Sequence, residues 1–132
     1  MSKIFLSHSA TDNAYAQALA KELRKSNFDV FLDTTDIRPG TDWRSEITQA
    51  VESSDTFITL LSQNSLAERN SIIELGMAWG LGKNIVPVVV PGQTLSTIEL
   101  PITLQEVQVI EARQQSPSDI AAIIGQHLKH IE

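Results

Sequence analysis

The chain has 132 residues, 42% of them hydrophobic and 20% charged, with a formal net charge of −6 and no cysteine. That length supports a single domain over residues 1–132 with a real core, and the lack of cysteine excludes disulfides, thiolate metal sites and a cysteine nucleophile. An acidic chain without a basic stripe is not expected to bind nucleic acid. With no apolar run of membrane-spanning length and no basic, hydrophobic, cleavable leader, it is expected in the cytoplasm with no membrane partner.

Period changes along the chain give the order of elements. Lys3-Ile4-Phe5-Leu6-Ser7 reads as a short buried strand, and Thr11 to Ser26 as a helix with Ala16, Leu19, Ala20 and Leu23 on one face, ending near Asn27. Asp29 to Asp33 is the second strand, followed by a polar loop, Thr34 to Asp42, punctuated by Pro39-Gly40. Thr41 or Asp42 caps the next helix, whose apolar stripe is Trp43, Ile47, Ala50 and Val51.

Thr56 to Ser62 is a third strand rich in β-branched and apolar residues, and a helix follows from about Ser65 to Leu81 with Gly82 near its end. Asn84 to Val90 is the fourth strand; Pro87 within it is expected where no N–H donor is needed. Gln93 to Thr103 holds at most a short helix, and Val107, Val109 and Ile110 suggest a fifth strand near an edge. Ile120, Ile123, Ile124, Leu128 and Ile131 mark a last amphipathic helix, entered through Ser116-Pro117-Ser118.

Five strands alternating with helices imply parallel crossovers and helices on both sheet faces. The compact solution is a three-layer α/β fold of the flavodoxin-like kind, strand order 2-1-3-4-5, with a topological switch point between the first and third strands. Ligands of such sheets bind beyond the carboxyl ends of the strands at that point. Here those ends are Ser7-His8-Ser9 and Ser62-Gln63-Asn64, and the helix carrying Glu74 begins just after the second. Glu74 has Ile73 and Leu75 beside it and Met77 and Ala78 on its helical surface. It either faces a cleft or is a solvated helix glutamate paired with a Lys or Arg.

The fold alone assigns no chemistry. A phospho-receiver needs acidic residues after the first strand and an Asp closing the third, where this chain has Ser7-His8-Ser9 and Leu61-Ser62. Ser7-His8-Ser9-Ala10-Thr11 has hydroxyls but no glycine for a flavin phosphate, and no Walker-type or dinucleotide-binding loop occurs. His127 and His130 share a helix face without a third ligand, so no metal site is expected.

Taken in order, several segments resemble the TIR (Toll/interleukin-1 receptor) domain family, especially its bacterial branch. They are Ile4 to Ser9 with Asp12, Asp29 to Asp33, Arg38 to Trp43, Ile47 to Asp55, Ile58 to Ser65 and Ser71 to Leu75. The likeness runs from Lys3 to about Val90. It implies either a signalling adaptor that works by assembly or an enzyme that cleaves NAD to nicotinamide and ADP-ribose or a cyclic ADP-ribose isomer. In the second case the essential glutamate falls on Glu74. NAD is then a substrate and no cofactor is needed; self-association through TIR surfaces and an effector activated by the product, as in bacterial antiphage defence, are the implied partners. Some relatives place a Trp-Cys pair before that glutamate where this chain has Asn70-Ser71, so stacking from that position is lost.

The chemistry is coherent with a single carboxylate. Breaking the ribose–nicotinamide bond passes through an oxocarbenium-like state that a carboxylate near the ribose hydroxyls stabilises, and nicotinamide leaves as a neutral ring without a general acid. The resemblance thus implies Glu74 as the catalytic residue, with Ser7, His8, Ser9, Asp36, Arg38 and Trp43 as the expected substrate-binding residues. Ser7, His8 and Ser9 meet ribose or phosphates, or else cap the first helix. Asp36 and Arg38 are loop charges facing ligand or a neighbouring subunit, and Trp43 has core anchoring as its plainer role. Trp79 belongs to the core or to an assembly surface. A nucleoside deoxyribosyltransferase-like enzyme on other N-glycosides is the remaining alternative.

Overall fold

The computed structural model describes residues 3–32, 43–93, 100–101, 104 and 107–131, with the backbone alone for Trp43, Arg69, Asn70 and residues 129–131. Five strands, β1 (Lys3–Ser7), β2 (Asp29–Leu32), β3 (Thr56–Leu61), β4 (Asn84–Val89) and β5 (Ile110–Glu111), form one parallel sheet in the order β2-β1-β3-β4-β5. The helices are α1 (Asn13–Lys25, after a 3-10 turn Ala10–Asp12), α2 (Trp43–Ser53), α3 (Gln63–Ala67), α4 (Arg69–Gly80) and α5 (Pro117–Ile131). This is the expected flavodoxin-like order. The strands adjoining at the switch point are β1 and β3, joined in register from Ile4↔Thr56 to Ser7↔Thr59.

Alternation along each strand assigns the two faces. Ile4 and Leu6 pack with Ile58, Leu60 and Val88 against α1 and α5, through Leu19, Leu23, Ile120 and Ile124. Phe5 faces the other way with Phe57, Leu61 and Val89, against Ile47 and Val51 of α2 and Leu75 and Ala78 of α4. On that face Phe31, Phe5 and Phe57 lie in register across three strands, their ring centroids 5.3 and 5.2 Å apart. All of β3 is buried, as a strand covered on both faces must be.

Local chemistry ends the helices where the sequence says. Asn27 (φ 71°) and Gly82 (φ 69°) are both left-handed. In each case two N–H groups reach back to orphan carbonyls: Asn27 to Arg24 and Phe28 to Leu23, Gly82 to Trp79 and Lys83 to Ala78. Pro87 also meets its expectation. Val90 N–H donates to Leu61 of β3 and Val89 C=O accepts from Ala112 on the β5 side. The nitrogen of Pro87 thus faces β5, whose pairing starts only at Val88.

Two expectations on element boundaries are corrected. The single helix over 65–81 is two helices, broken at Glu68, whose backbone is extended (ψ 125°). Ser62 starts a short helix early through a capping box with Ser65, and the Glu68 carboxylate accepts from Ala10 N–H at 3.2 Å, tying the break to the end of β1. The fifth strand is only Ile110–Glu111; Val107 and Val109 precede it. The proposed cap at Thr41 or Asp42 lies outside the described residues. Among those residues no helix is long and apolar enough to cross a membrane.

Candidate active site

Ser7 is the last residue of β1, and alternation puts it on the face of Phe5, the side covered by α2 and α4. Across that face α4 presents Ser71, Glu74, Leu75 and Ala78, spaced i, i+3, i+4 and i+7, and all four are buried. Glu74 therefore sits in the core-facing stripe with 0% of its surface exposed. The Ser7 hydroxyl donates to Glu74 Oε1 at 2.7 Å, with both groups buried. With the carboxyl group ionised, such a bond is of the strong, charge-assisted kind, and burying a carboxylate without donors would cost several kcal/mol.

A second polar network ties the ends of β1 and β3 together. Asp12 Oδ2 accepts from the hydroxyls of Ser9 and Ser62, at 2.8 Å each. Thr11 Oγ1 lies 2.9 Å from the Ser9 hydroxyl and accepts from Asn64 Nδ2 at 3.1 Å. The switch point is thus a closed lattice of short side chains. Gln63 N–H, at the start of α3, is met by the Gln93 amide oxygen at 3.3 Å.

The sequence-derived set divides accordingly. Ser7 and Glu74, 67 positions apart, are brought into direct contact. His8 is buried and its Nε2–H donates to Asn13 Oδ1 at 3.1 Å. Ser9 is the N-cap residue of the 3-10 turn but makes no side-chain cap; its hydroxyl goes to Asp12 and Thr11 instead. Asp36 and Arg38 lie outside the described residues, as does the side chain of Trp43, whose backbone opens α2. His127 is exposed, and no three His, Cys, Asp or Glu side chains cluster as a metal site among the described residues. A groove of about 300 Å³ lined by Lys3, Asp29, Phe31, Ala50 and Ser54 lies at the amino ends of β1 and β2, the opposite end of the sheet from Glu74.

Three residues of this region were not among the expected site residues. Thr59 is buried beside Ser7 in the β1–β3 register, a position that strand alternation predicts once the pairing is fixed. Asp12 and Ser62 form the tie between the loops; nothing local in the sequence joins residues 50 positions apart.

A parallel five-stranded α/β domain with a buried carboxylate at its switch point thus defines the class. Residues 4–128 match the sequence profile of the TIR domain, and the chain belongs to the TIR domain family. Its fold is similar to the TIR domain of the Toll-related receptor TRR-2 from Hydra magnipapillata, with 18% identity, 98% of this chain and 97% of that one covered, and a TM-score of 0.77. It is also similar to the TIR domains of the activated Roq1 resistosome that recognises the pathogen effector XopQ (17% identity, 96% and 72% covered, TM-score 0.65). The CMP N-glycosidase BcmB of Clostridium botulinum shares the fold at 14% identity, with 93% and 98% covered and a TM-score of 0.59. No curated protein matches the chain in sequence.

Proposed function

We propose that the chain is an NAD glycohydrolase or ADP-ribosyl cyclase, with Glu74 as its catalytic carboxylate. The observation that carries this is the Glu74 carboxyl group itself, fully buried at the carboxyl end of β1 and held by the Ser7 hydroxyl at 2.7 Å. A helix that needed only to pack would be better served by an apolar residue at this position, so the carboxylate is most economically explained by chemistry.

The reaction needs little else. As the C1′–N bond of the nicotinamide ribose breaks, its electron pair leaves with nicotinamide and neutralises the pyridinium. Glu74 lies against the ribose hydroxyls and stabilises the positive charge that develops at C1′. Water attacking C1′ and losing its proton to solvent gives ADP-ribose; an oxygen or nitrogen of the same molecule gives a cyclic isomer, which requires a folded, water-excluded ligand. Ser7 is a positioning residue that fixes the carboxylate. His8 and Ser9, engaged with Asn13 and Asp12, shape the switch point, while Asp36, Arg38 and Trp43 complete the proposed substrate-binding set. Because Glu74 has no exposed surface, substrate reaches it only after the groups covering it move, so binding includes a conformational step. A CMP N-glycosidase of similar fold is consistent with N-glycosidic cleavage on this architecture. A role in bacterial antiphage defence, with the product as signal to an effector, is what the resemblance to bacterial TIR domains implies for such an activity.

The test is purified protein at high concentration with NAD, assayed by mass spectrometry, with Glu74→Gln in parallel. Nicotinamide released by the wild type alone supports the proposal, and the co-product mass separates hydrolysis from cyclisation. Equal turnover by both proteins, or none by either while folded and assembled, refutes it. The second case favours an assembly domain in which the Ser7–Glu74 bond is structural, a reading their complete burial also accommodates. Cleavage of deoxynucleosides but not of NAD would select the deoxyribosyltransferase-like alternative.

A further inference from the structure

On the Phe5 face the helical layer stops short of the sheet's edge. β2 is the outermost strand, while α2 packs Ile47 and Val51 against Phe5 and Phe57 of the inner strands. Between β2 and the last turn of α2 lies the groove of about 300 Å³ at the amino ends of β1 and β2. Alternation gives this groove the side chains of Lys3, Asp29 and Phe31, whereas Ile4 and Val30 point to the opposite face. Lys3 and Asp29 are register partners in the β1–β2 ladder, so a cation and an anion stand next to each other. Both are exposed, and among the described residues neither is in an ion pair. Phe31 stacks on Phe5 with ring centroids 5.3 Å apart and borders the groove with its half-buried remainder. The far wall is the end of α2, where the hydroxyls of Ser53 and Ser54 both donate to Ala50 C=O, at 3.2 and 2.7 Å. Their oxygens keep the capacity to accept, and the negative end of the helix dipole lies beside them.

We infer that this groove is a binding site for a small zwitterion, an α-amino acid with an apolar side chain. Each part of such a ligand has a counterpart. The Lys3 ammonium takes the carboxylate. Asp29 takes the amino group, which the serine oxygens and the carbonyl end of α2 also favour. The apolar side chain lies on the Phe31 ring and Ala50. Ligands of a single charge fit less well: an anion meets Asp29 and the negative end of α2, and a cation meets Lys3. The volume is at the low end for small-molecule sites, which suits one amino acid and not a dinucleotide. The groove lies at the opposite end of the sheet from Glu74. Its occupant is therefore not the substrate of the reaction at Glu74, and its binding is read without turnover.

Phenylalanine is the probe, followed through the backbone amide chemical shifts of the isotope-labelled chain. A ligand of about twelve non-hydrogen atoms in an open groove should bind with a dissociation constant of roughly 1 mM, so titration to about 20 mM should reach saturation. The shifts should fall on Lys3, Phe31, Ser53 and Ser54 and spare Ser7 and Glu74. Lys3→Met and Asp29→Asn change exposed side chains and should each weaken binding roughly threefold to fivefold, as for an exposed ion pair. Phenethylamine and phenylpropionate, which each keep one charge of the zwitterion, should lose a similar factor on the wild type. No saturable shift at the groove overturns the assignment. So does phenylalanine binding no tighter than either truncated probe, or binding that both variants leave unchanged.

Discussion

Replacing Ser7 by Ala deletes one hydroxyl and leaves the Glu74 carboxyl group buried with one donor fewer. A hydrogen bond to a charged group contributes about 1.5–3 kcal/mol net, and here it joins two fully buried partners at 2.7 Å. For a domain of this size the unfolding entropy is about 0.28 kcal/mol/K, so Ser7→Ala should lower the melting temperature by about 5–11 °C. Glu74→Met, apolar and similar in shape, leaves the Ser7 hydroxyl unpartnered instead. Removing both partners is far less costly than the sum of the single changes. A double-mutant cycle by urea denaturation should therefore return a coupling of about 1.5–3 kcal/mol, with Ser7→Ala/Glu74→Met more stable than additivity allows. Turnover discriminates further: every Glu74 variant should be inactive whatever its stability, and Ser7→Ala should retain activity reduced by about tenfold to a hundredfold. Additivity within about 0.5 kcal/mol would refute the bond as an energetic link, and full activity in Ser7→Ala would remove its positioning role.

The Asp12 tie makes a second case: Asp12→Ala removes the acceptor shared by Ser9 and Ser62 and should cost about 2 kcal/mol, with Asp12→Asn recovering part because an amide oxygen still accepts. A denaturation midpoint unchanged by Asp12→Ala would count against it. At Gly82 (φ 69°) an added Cβ meets no neighbour, so Gly82→Ala should cost about 1–2 kcal/mol from backbone strain alone, and Gly82→Asn less; calorimetry showing no loss would deny the left-handed helix end. Burial raises the Tyr15 pKa above its usual 10.0. Because the folded value is the higher one, the unfolded chain loses its proton first as pH rises; this contribution to stability is complete below about pH 10 and is lost as pH climbs through the folded value. Unfolding titrations from pH 8 to 12 should show Tyr15→Phe declining less steeply than wild type.

Much of the fold was legible because strands buried on both faces leave long apolar runs and left-handed helix ends call for Gly or Asn. Thr56 to Leu61 and Asn84 to Val89 show the first, Asn27 and Gly82 the second. Pro87 was legible in the same way, since one missing N–H limits where a neighbour can start pairing. The break at Glu68 was not. It depends on Ser62 starting α3 early and on a contact with Ala10 that is distant in sequence. Ser9 shows a related limit: hydroxyls after a strand suggest capping, but Asp12 competes for them, and Ser62 then joins the same carboxylate from the other loop. The depth of Glu74 was hidden for a different reason. Apolar residues occur all around α4, so no single stripe stands out and the sequence does not say which side turns inward.

That same all-round apolar character joins the two faces of α4. The inner face is settled by packing: Leu75 and Ala78 fill the core beneath β1, β3 and β4, and Glu74 is carried in with them because it lies within the same four-residue stripe. A residue at 74 cannot leave the core without unseating Leu75 and Ala78, which gives the carboxyl group a rigid mount, as a positioned charge requires. The outer face lacks such a constraint, and solubility would favour Lys, Glu or Arg there. Ile72, Ile73 and Trp79 stand there instead. If a second copy covers them, contact between copies also clamps the helix on which Glu74 is mounted, and ligand access to the buried carboxyl group becomes sensitive to assembly. Turnover per protein should then rise with protein concentration in the wild type and stay flat in Trp79→Glu. A rate per molecule independent of protein concentration, and the same in Trp79→Glu, would separate the two faces of α4 into unrelated features.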